Sequence, residues 1–464
     1  MIRLFRHYIP YGVLFLGIVD VLLLIAAAET AWIIYARQID MGVDHMINRA
    51  GPLISFALAL GVAAIAVGVY SPQALQSFRH AVARLLVAIS LGVIFLSVMR
   101  FALPDMTLWR ANSLYAMGLA FLYLSAARLL LGSLVGSEVF KRRLVVLGAG
   151  KRADRIRQLE RRKGSSAGFT VVGYVAMSGT ERVVAESIER SAIYNLADFV
   201  VKLGAREVVL ALEERRNALP LSDLLRIRTT GVHVNEISTF LERETGRVDL
   251  DSVNPSWLIF SDGFTAGRRL SSWAKRLFDI IASFILLLLT APVILIFALL
   301  VKLDSKGPAF YRQERVGLFG QPFQIIKLRS MRTDAEVAAG AVWAEKDDPR
   351  ITRVGRFIRK VRIDELPQAW SVLKGEMSFV GPRPERPEFI AELEEQIRYY
   401  AERHMVKPGI TGWAQINYPY GATIDDARQK LEYDLYYAKN YTPFLDLLIL
   451  VQTVRVILWP EGAR

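Results

Sequence analysis

The chain has 464 residues, with 58 Lys and Arg against 45 Asp and Glu, which gives a formal net charge of +13. Hydrophobic residues make up 53% of it and charged residues 22%, so low-complexity disorder is excluded. The absence of cysteine excludes disulfide scaffolds, thiolate metal sites and thiol nucleophiles. A chain of this length allows about three domains at roughly 150 residues each. Its positive charge favours polyanionic partners, namely nucleic acid, anionic lipid or phosphorylated substrates.

Four apolar stretches occupy the first third of the sequence, at about 11–35, 53–70, 82–103 and 114–131. Each has about the 17 to 25 residues that a helix needs to cross a bilayer. Basic residues concentrate at the N-terminus, in the second loop and after the fourth stretch. This distribution predicts that the N-terminus and everything after Lys141 are cytoplasmic. We therefore predict a four-helix transmembrane bundle over 1–135, with the isolated acids Asp20 and Glu29 facing its interior.

Residues 141–240 alternate between short apolar runs and helical patterns, which predicts a parallel, Rossmann-like sheet. The turn Gly148-Ala149-Gly150 matches part of a dinucleotide-binding fingerprint, but Ala153 stands where the third glycine could be, and no acid ends the second strand. We therefore predict a structural turn that binds no nicotinamide cofactor. The stretch Gly164–Gly168 matches the G-x-S-x-G pattern of hydrolases but follows a helix, which predicts a plain loop. The predicted strands are Arg143–Leu147, Phe169–Val175, Glu207–Leu212 and Val232–Asn235.

A fifth apolar run, Leu277–Leu303, has basic residues at both ends and Pro292 near its middle. Equal positive flanks argue against a crossing, because one cluster would have to leave the cytoplasmic side. Proline removes a backbone N–H and breaks or kinks a helix. The pattern predicts a re-entrant helix that breaks at Pro292 and returns to the same face. A kinked full span stays open as the alternative.

A basic tract and an acidic pair follow one another in the last third of the chain. The spacing of the tract places several cations on one face of a helix. Such a face suits phosphate groups at a bilayer surface, or it is simply solvated. The pair Asp364-Glu365 comes directly afterwards. The cations are Arg350, Arg353, Arg356, Arg359, Lys360 and Arg362.

The acidic pair has a local structural explanation. Asp364 is expected to cap a helix that runs to Leu373, with Gly375 just past its end. A helix N-terminus also offers N–H groups and positive potential to an anion. Adjacent residues of a helix point about 100° apart, so the two carboxylates should have different roles.

Two glycine- and proline-containing turns follow the acidic pair. The turn Gly381-Pro382-Arg383-Pro384 presents one arginine on a rigid backbone. The turn Pro408–Trp413 carries an aromatic side chain, Trp413, that either packs in the core or stacks on a base.

At these residues the chain resembles the bacterial sugar transferases, that is, polyprenyl-phosphate glycosyl-1-phosphate transferases. The resemblance covers about Ser272–Arg464. The anchor and the degenerate Rossmann-like segment are similar to the large, multi-span members. Asn254–Phe264 and Glu461–Arg464 resemble the exopolysaccharide branch associated with PEP-CTERM systems. The motifs that carry the resemblance are Lys275–Asp279, Gly307-Pro308, Tyr311–Gly317, Lys327–Met331, Asp364–Gln368, Gly381–Pro384 and Lys407–Asn417.

The resemblance implies a multi-domain membrane protein. Its parts would be the anchor over 1–135, the Rossmann-like α/β domain over 141–240, a linker over 241–271, and a re-entrant helix with an α/β catalytic domain over 272–464. The implied location is the bacterial inner membrane, with the catalytic domain on the cytoplasmic face.

The implied reaction moves a sugar-1-phosphate from a UDP-sugar to undecaprenyl phosphate and releases UMP, as the first step of exopolysaccharide synthesis. By resemblance Asp364 is the nucleophile and contacts Mg²⁺, and Glu365 is its partner. Nucleic acid is not an expected partner, and a homodimer stays open. The implied substrate-binding residues are Arg315, Lys327, Arg329, Arg362, Arg383 and Gln415.

Two other functions fit parts of the pattern. A membrane-tethered nucleotide-sugar dehydratase or epimerase would share the spans and the Rossmann segment, but it needs a full glycine fingerprint and a Tyr-x-x-x-Lys pair. The sequence contains no such pair. A non-catalytic scaffold for polysaccharide assembly would not need the acidic pair Asp364-Glu365.

Overall fold

The structure is a computed structural model that describes residues 2–4, 7–42, 45–71, 74–75, 77–135, 141–163, 168–177, 182–213, 219–253, 269–333, 350–419, 421 and 423–458. The chain divides into two compact units, Met1–Thr245 and Gly246–Arg464. The segments Asn254–Phe264 and Glu461–Arg464, and residues 164–167 of the predicted loop, lie outside the described residues.

Four long apolar helices follow the short N-terminal strands β1 (Ile2–Leu4) and β2 (His7–Ile9). Each helix belongs to a segment long and apolar enough to cross a membrane, which confirms the prediction of four apolar helices of spanning length in the first third of the chain. The helices are α1 (Tyr11–Gln38), α2 (Ala50–Val67), α3 (Phe78–Ala102) and α4 (Arg110–Val135).

The acids predicted to face the bundle interior are both in ion pairs. The guanidinium of Arg128 on α4 donates to Oδ1 and Oδ2 of Asp20 on α1, at 2.8 and 2.6 Å. The hydroxyl of Tyr70 donates to the same carboxylate at 2.7 Å. Glu29 pairs with Arg49. Asp20 and Arg128 are 3% and 5% exposed, so α1 and α4 are joined by a buried, bidentate ion pair.

The second half of this unit is the predicted parallel sheet, in the strand order β5-β4-β3-β6-β7. Gly148 ends β3 at a φ of +132°, where a Cβ atom would lie 2.4 Å from the carbonyl oxygen of Ala211. This close approach requires glycine and accounts for the turn as a structural feature. The elements are β3 (Arg142–Leu147), α5 (Lys151–Lys163), β4 (Phe169–Ala176), β5 (Ile188–Glu189), α6 (Leu196–Lys202), β6 (Glu207–Leu210), α7 (Leu221–Thr229), β7 (His233–Glu236) and α8 (Ile237–Thr245).

The start of α5 is where a dinucleotide phosphate would bind in a Rossmann fold. Here the backbone N–H of Arg152 donates to Oε1 of Glu213 at 2.8 Å. The Arg152 side chain donates to the carbonyl of Leu212 at 2.7 Å. A carboxylate of the chain itself therefore contacts the helix N-terminus. That this domain binds no nicotinamide cofactor stays a prediction.

The second unit begins earlier than the sequence suggested. Val248, Leu250 and Val253 are buried in its main hydrophobic core, and the N–H of Val248 donates to the carbonyl of Glu432 at 3.0 Å. The linker predicted over 241–271 is therefore wrong in its first part, because 241–245 complete α8 and 246–253 pack in the core.

The second unit is helical around two small sheets. Strands β8 (Phe310–Val316) and β9 (Pro322–Leu328) form an antiparallel hairpin, and β10 (Ser378–Val380) and β11 (Gly409–Thr411) pair in parallel. Its helices are α9 (Arg269–Asp304), α10 (Arg353–Lys360), α11 (Ala369–Lys374), α12 (Pro387–Gln396), α13 (Trp413–Asn417), α14 (Ile424–Asn440) and α15 (Pro443–Leu458).

Helix α9 contains the fifth apolar run, and Pro292 lies inside it. The prediction that the helix breaks at Pro292 is therefore wrong, because helical structure continues on both sides of the proline. Both ends of α9 nevertheless contact the same unit. Before the proline, Oδ1 of Asp279 accepts hydrogen bonds from the Ser378 hydroxyl at 3.1 Å and the Phe379 N–H at 3.2 Å. After it, Phe297 stacks on Phe357 with ring centroids 5.8 Å apart.

Candidate active site

A short 3-10 helical segment, Ile363–Gln368, carries the acidic pair and continues into α11. Its cap is Arg362, at a φ of +60°, so Asp364 lies inside the first turn. The prediction that Asp364 caps the helix is therefore wrong. Gly375 follows the last residue of α11 at a φ of +95°, as expected for a glycine after a helix. An arginine with left-handed backbone angles is locally strained, and such strain clusters at functional sites.

Glu365 is surrounded by three cations that come from different elements. Nη2 of Arg383 donates to its Oε1 at 2.9 Å, and Nζ of Lys327 lies 3.6 Å from the same oxygen. Arg362 is 3.7 Å away. Burial alone would raise the pKa of Glu365, but these three cations outweigh it and lower the pKa below its usual value. Glu365 therefore stays ionised and holds Arg383 and Lys327 together.

Asp364 has the opposite environment. Its side chain is 8% exposed, and its Oδ1 atom is buried with no hydrogen-bond partner among the described residues. Burial, together with the neighbouring Glu365 carboxylate, raises the pKa of Asp364 to about 6, against the opposing effects of Lys327, Arg362 and Arg359. A buried carboxylate oxygen without a partner is available for a metal ion or for attack on a substrate.

The arginine of the Gly381–Pro384 turn reaches the acidic pair because two backbone segments come very close together. A Cβ atom on Gly381 would lie 2.2 Å from the carbonyl oxygen of Lys407. The N–H of Gly381 donates to the carbonyl of Thr411 at 2.9 Å, and that of Gly409 donates to the carbonyl of Pro382 at 2.8 Å. The turn is thus fixed against β11.

Two more of the predicted substrate-binding residues contact either this turn or strand β11, against which the turn is fixed. Arg315 donates to the carbonyl of Pro384 at 3.2 Å. Gln415 donates from Nε2 to the carbonyl of Ile410 at 3.2 Å, and its Oε1 is buried with no partner among the described residues. Lys327, Arg362 and Arg383 contact Glu365 directly, whereas Arg315 contacts the turn and Gln415 contacts β11.

The Arg329 side chain is bonded at the end of α9 and not to the acidic pair. Its guanidinium donates to the carbonyls of Lys306 at 2.5 Å, Ser305 at 2.7 Å and Val301 at 3.3 Å, at the end of α9. The side chain is 4% exposed. The substrate-binding role of Arg329 stays a prediction, and its guanidinium is bonded to backbone carbonyls at the end of α9. The arginine caps the C-terminal end of α9, where cations are stabilising.

The Trp413 side chain packs in the core and is not free to stack on a nucleotide base. It is 7% exposed, stacks on Tyr436 with ring centroids 5.8 Å apart, and donates from its indole N–H to the carbonyl of Gly246 at 2.7 Å. The alternative left open by the sequence is settled in favour of packing.

The basic tract forms the short helix α10, whose polar face is exposed. Arg353, Arg356 and Lys360 are exposed, while Ile358 is buried. Phe357 is 53% exposed beside these cations. An apolar side chain among arginines suits the boundary between headgroups and acyl chains, which favours the bilayer-surface interpretation of the tract.

Sequence reasoning missed several residues that hold the site together. Lys275 of α9 donates to Asp446 at 2.6 Å and to the carbonyl of Val380, just before the arginine turn, at 3.1 Å. Tyr437 donates to the same carbonyl at 3.0 Å. Gln368 is buried and its Nε2 atom has no partner among the described residues. Lys275 and Gln368 lie in motifs that carry the resemblance, but no local pattern reveals the contacts of Lys275 and Tyr437 with Val380, because Val380 lies far away from both in sequence.

Within the part of the chain that the structure describes, no group of three or more His, Asp or Glu side chains could hold a metal ion. Mg²⁺ differs from metals that need such groups, because it is commonly held by one or two carboxylates plus substrate phosphates and water. The unpartnered Oδ1 of Asp364 fits that kind of site.

Comparison with known proteins finds one family model, whose match lies in the second unit. A family model described as bacterial sugar transferase matches residues 270–460. The chain is 45% identical over 232 residues to a UDP-N-acetylgalactosamine-undecaprenyl-phosphate N-acetylgalactosaminephosphotransferase from Aeromonas hydrophila, over 50% of this chain and 53% of the relative. The match thus spans about half the length of that relative.

Two relatives are covered more completely. The chain is 46% identical over 190 residues to the uncharacterized sugar transferase EpsL of Bacillus subtilis (strain 168), which is 41% of this chain and 90% of EpsL. It is 42% identical over 191 residues to a UDP-glucose:undecaprenyl-phosphate glucose-1-phosphate transferase of Caulobacter vibrioides, covering 41% of this chain and 71% of the relative. With the acidic pair, its three cations and the arginine turn in one site, the chain belongs to the bacterial sugar transferase family.

Proposed function

We propose that the protein transfers a sugar-1-phosphate from a UDP-sugar to undecaprenyl phosphate and releases UMP. The observation that carries the proposal is the buried Asp364, with an unpartnered carboxylate oxygen, directly beside a Glu365 that is held by cations. The names of the Aeromonas and Caulobacter relatives describe transfer of this kind. Both donor and acceptor carry phosphate, which the surrounding arginines and lysine would attract.

In the first step, the Asp364 carboxylate attacks the phosphorus that carries the sugar. A bond forms between the Asp364 oxygen and this phosphorus, and the bond from phosphorus to the bridging oxygen breaks, so that UMP leaves with the electron pair. Arg383 and Lys327 neutralise the charge that accumulates on the phosphate oxygens. Glu365 positions both cations, since its Oε1 contacts each of them.

In the second step, a phosphate oxygen of undecaprenyl phosphate attacks the same phosphorus. The bond to Asp364 breaks, the carboxylate is restored, and the sugar is left on a lipid diphosphate. One substrate is soluble and the other is confined to lipid, so a covalent intermediate allows each to visit the site in turn.

Mg²⁺ is part of the proposal. Asp364 would hold the ion, which would shield the negative charges of carboxylate and diphosphate from one another. Glu365 is a poorer ligand, because its Oε1 is already occupied by Arg383.

We propose further that α9, although helical on both sides of Pro292, bends at this proline and is re-entrant, and that the site faces the cytoplasm. Two observations support this topology. Both ends of α9 contact the same unit, while Leu288, Leu289 and Leu295 in its middle are 65%, 71% and 68% exposed. Basic residues flank both ends, which disfavours a crossing. Such a helix would hold the site at headgroup depth, where the acceptor phosphate lies.

The reaction is tested by incubating the purified full chain with Mg²⁺, undecaprenyl phosphate and a panel of UDP-sugars, and measuring UMP. We expect lipid-dependent UMP release with at least one sugar. Release that is equal with and without lipid would indicate hydrolysis, and release of no UMP across the panel would reject the proposal. Glu394→Gln, an exposed acid of α12, is a matched control that should keep full activity. A role at the first step of exopolysaccharide synthesis is part of the same proposal.

A further inference from the structure

Arg403 is an arginine buried in the interior of the second unit. It is 5% exposed, and its partner Asp434 is 2% exposed. Burying a charge is costly unless the charge is paired and fully hydrogen-bonded. An arginine at such a place therefore calls for an explanation beyond packing.

The hydrogen bonds of Arg403 lead to the active-site turn. Its Nη2 atom donates to Oδ2 of Asp434 at 2.8 Å and to the backbone carbonyl of Arg383 at 3.0 Å. Its Nη1 atom donates to the hydroxyl of Tyr400 at 2.6 Å, and its guanidinium lies 5.1 Å from the centre of that ring. The guanidinium is thus fixed by Asp434 and Tyr400, and the Nη2 atom that contacts Asp434 also holds the main chain of Arg383.

The hydrogen bond from Arg403 fixes the backbone position from which the Arg383 side chain extends. The Arg383 carbonyl follows the rigid Pro382 and precedes Pro384, so one hydrogen bond at this point restricts the whole turn. The Nη2 atom of Arg383 then reaches Glu365 at 2.9 Å. A shift of the turn by about 1 Å would remove Arg383 from this position, and shifts of that size are costly in active sites.

We propose that Arg403, held by Asp434, is a positioning residue that sets the phosphate-binding geometry of Arg383. The inference rests on the proposed function, because it takes the diphosphate as the group that Arg383 binds. Arg403 itself does not touch the substrate. A lysine at 403 keeps the positive charge but cannot make the planar set of bonds to Asp434, Tyr400 and the Arg383 carbonyl at once.

The test is a double-mutant cycle on the full-length protein, with binding of inorganic pyrophosphate and Mg²⁺ measured by calorimetry. Arg383→Ala should weaken binding about tenfold. Arg403→Lys should weaken it at least about threefold in the parent chain, but less than about 1.5-fold when Arg383 is already alanine. Arg428→Lys, at a half-buried arginine of α14 that pairs with Asp251, is the matched control and should leave binding unchanged.

Equal effects of Arg403→Lys with and without Arg383 would overturn the proposal, as would an unchanged affinity in Arg383→Ala. If Arg403→Lys does not fold, Tyr400→Phe and Asp434→Asn are taken through the same cycle, since each removes one support of Arg403. The transferase reaction is judged separately by UMP release. Coupled effects on pyrophosphate in a protein that releases no UMP would reject the reaction and keep the positioning role, whereas additive effects in an active enzyme would reject the positioning role alone.

Discussion

Two neighbouring carboxylates, Asp364 and Glu365, acquire opposite properties within one turn of the chain. Glu365 is ionised among three cations, and Asp364 is buried with a raised pKa of about 6. The sequence indicates that the two should differ, because they point in different directions on a helix. It does not indicate which is held by cations, because Lys327 and Arg383 come from β9 and from a turn after β10.

The different environments predict different mutational effects. Asp364→Asn should lower UMP release by at least about 1,000-fold, since an amide cannot act as the nucleophile. Glu365→Gln should lower it about 10- to 100-fold, because Arg383 and Lys327 lose a charged partner but the attacking group remains. The measurement is the initial rate with lipid acceptor at saturating UDP-sugar. A Glu365→Gln loss as large as that of Asp364→Asn would contradict the assignment of roles.

Because Arg329 caps the C-terminal end of α9 next to Gly307, replacing Gly307 should lower the stability of the protein. Gly307 has a φ of +125°, and a Cβ atom there would lie 2.1 Å from Nη1 of Arg329. Gly307→Ala should therefore destabilise the protein by about 3 kcal/mol or more. Gly320 also has a positive φ, of +76°, but nothing lies within 4 Å of its Cβ position. Gly320→Ala should lower the stability by only about 1 kcal/mol. Similar shifts in melting temperature for the two variants would contradict the role of Arg329 as a cap of α9.

At the scale of secondary-structure elements, α9 shows what flanking charge and hydropathy can and cannot predict. They predict a long apolar segment that both begins and ends among cations, and the structure has such a helix. They also suggest a break at Pro292, which is absent. A missing N–H removes one hydrogen bond, and the neighbouring turns of a strongly apolar helix keep their own bonds without it.

The re-entrant topology predicts the accessibility of engineered cysteines, for which the cysteine-free chain is well suited. Neither Ser272→Cys nor Lys306→Cys should react with an impermeant maleimide in intact cells, and both should react after lysis. Gly42→Cys serves as the control. It lies after α1, and a cytoplasmic N-terminus with a membrane-crossing α1 would place it on the outer side, so it should react in intact cells. Labelling of only one of the two sites that flank α9 would mean that α9 crosses the membrane.

The ion pair between α1 and α4 predicts strong coupling between Asp20 and Arg128. Arg128→Leu should destabilise the bundle by about 3–5 kcal/mol, because it leaves an unpaired buried carboxylate. The double variant Asp20→Leu, Arg128→Leu should recover most of that loss, since neither charge then remains. The melting temperature of detergent-solubilised protein checks this. A double variant as unstable as the single one would show that the pair has a role beyond compensating its own charges.

At the scale of the whole molecule, the structural features that could be predicted from sequence are those indicated by a regular pattern of apolar residues. The apolar spans and the parallel sheet follow from periodicity and length, and the acidic pair follows from its local motif. Contacts between distant residues could not be predicted. The packing of 246–253 into the second unit, the cap by Arg329, the packing of Trp413 and the support of Arg383 by Arg403 all depend on pairs far apart in sequence, for which no local pattern exists.

The most direct test of the proposed reaction is isotope exchange in the absence of lipid. If Asp364 forms a covalent phospho-sugar, labelled UMP must enter the UDP-sugar pool when enzyme, Mg²⁺ and UDP-sugar are incubated without acceptor. We expect this exchange in the parent chain and in the Glu394→Gln control, and none in Asp364→Asn. An enzyme that transfers sugar-phosphate to lipid but shows no acceptor-free exchange would contradict the account, because direct transfer in a ternary complex would then explain its activity.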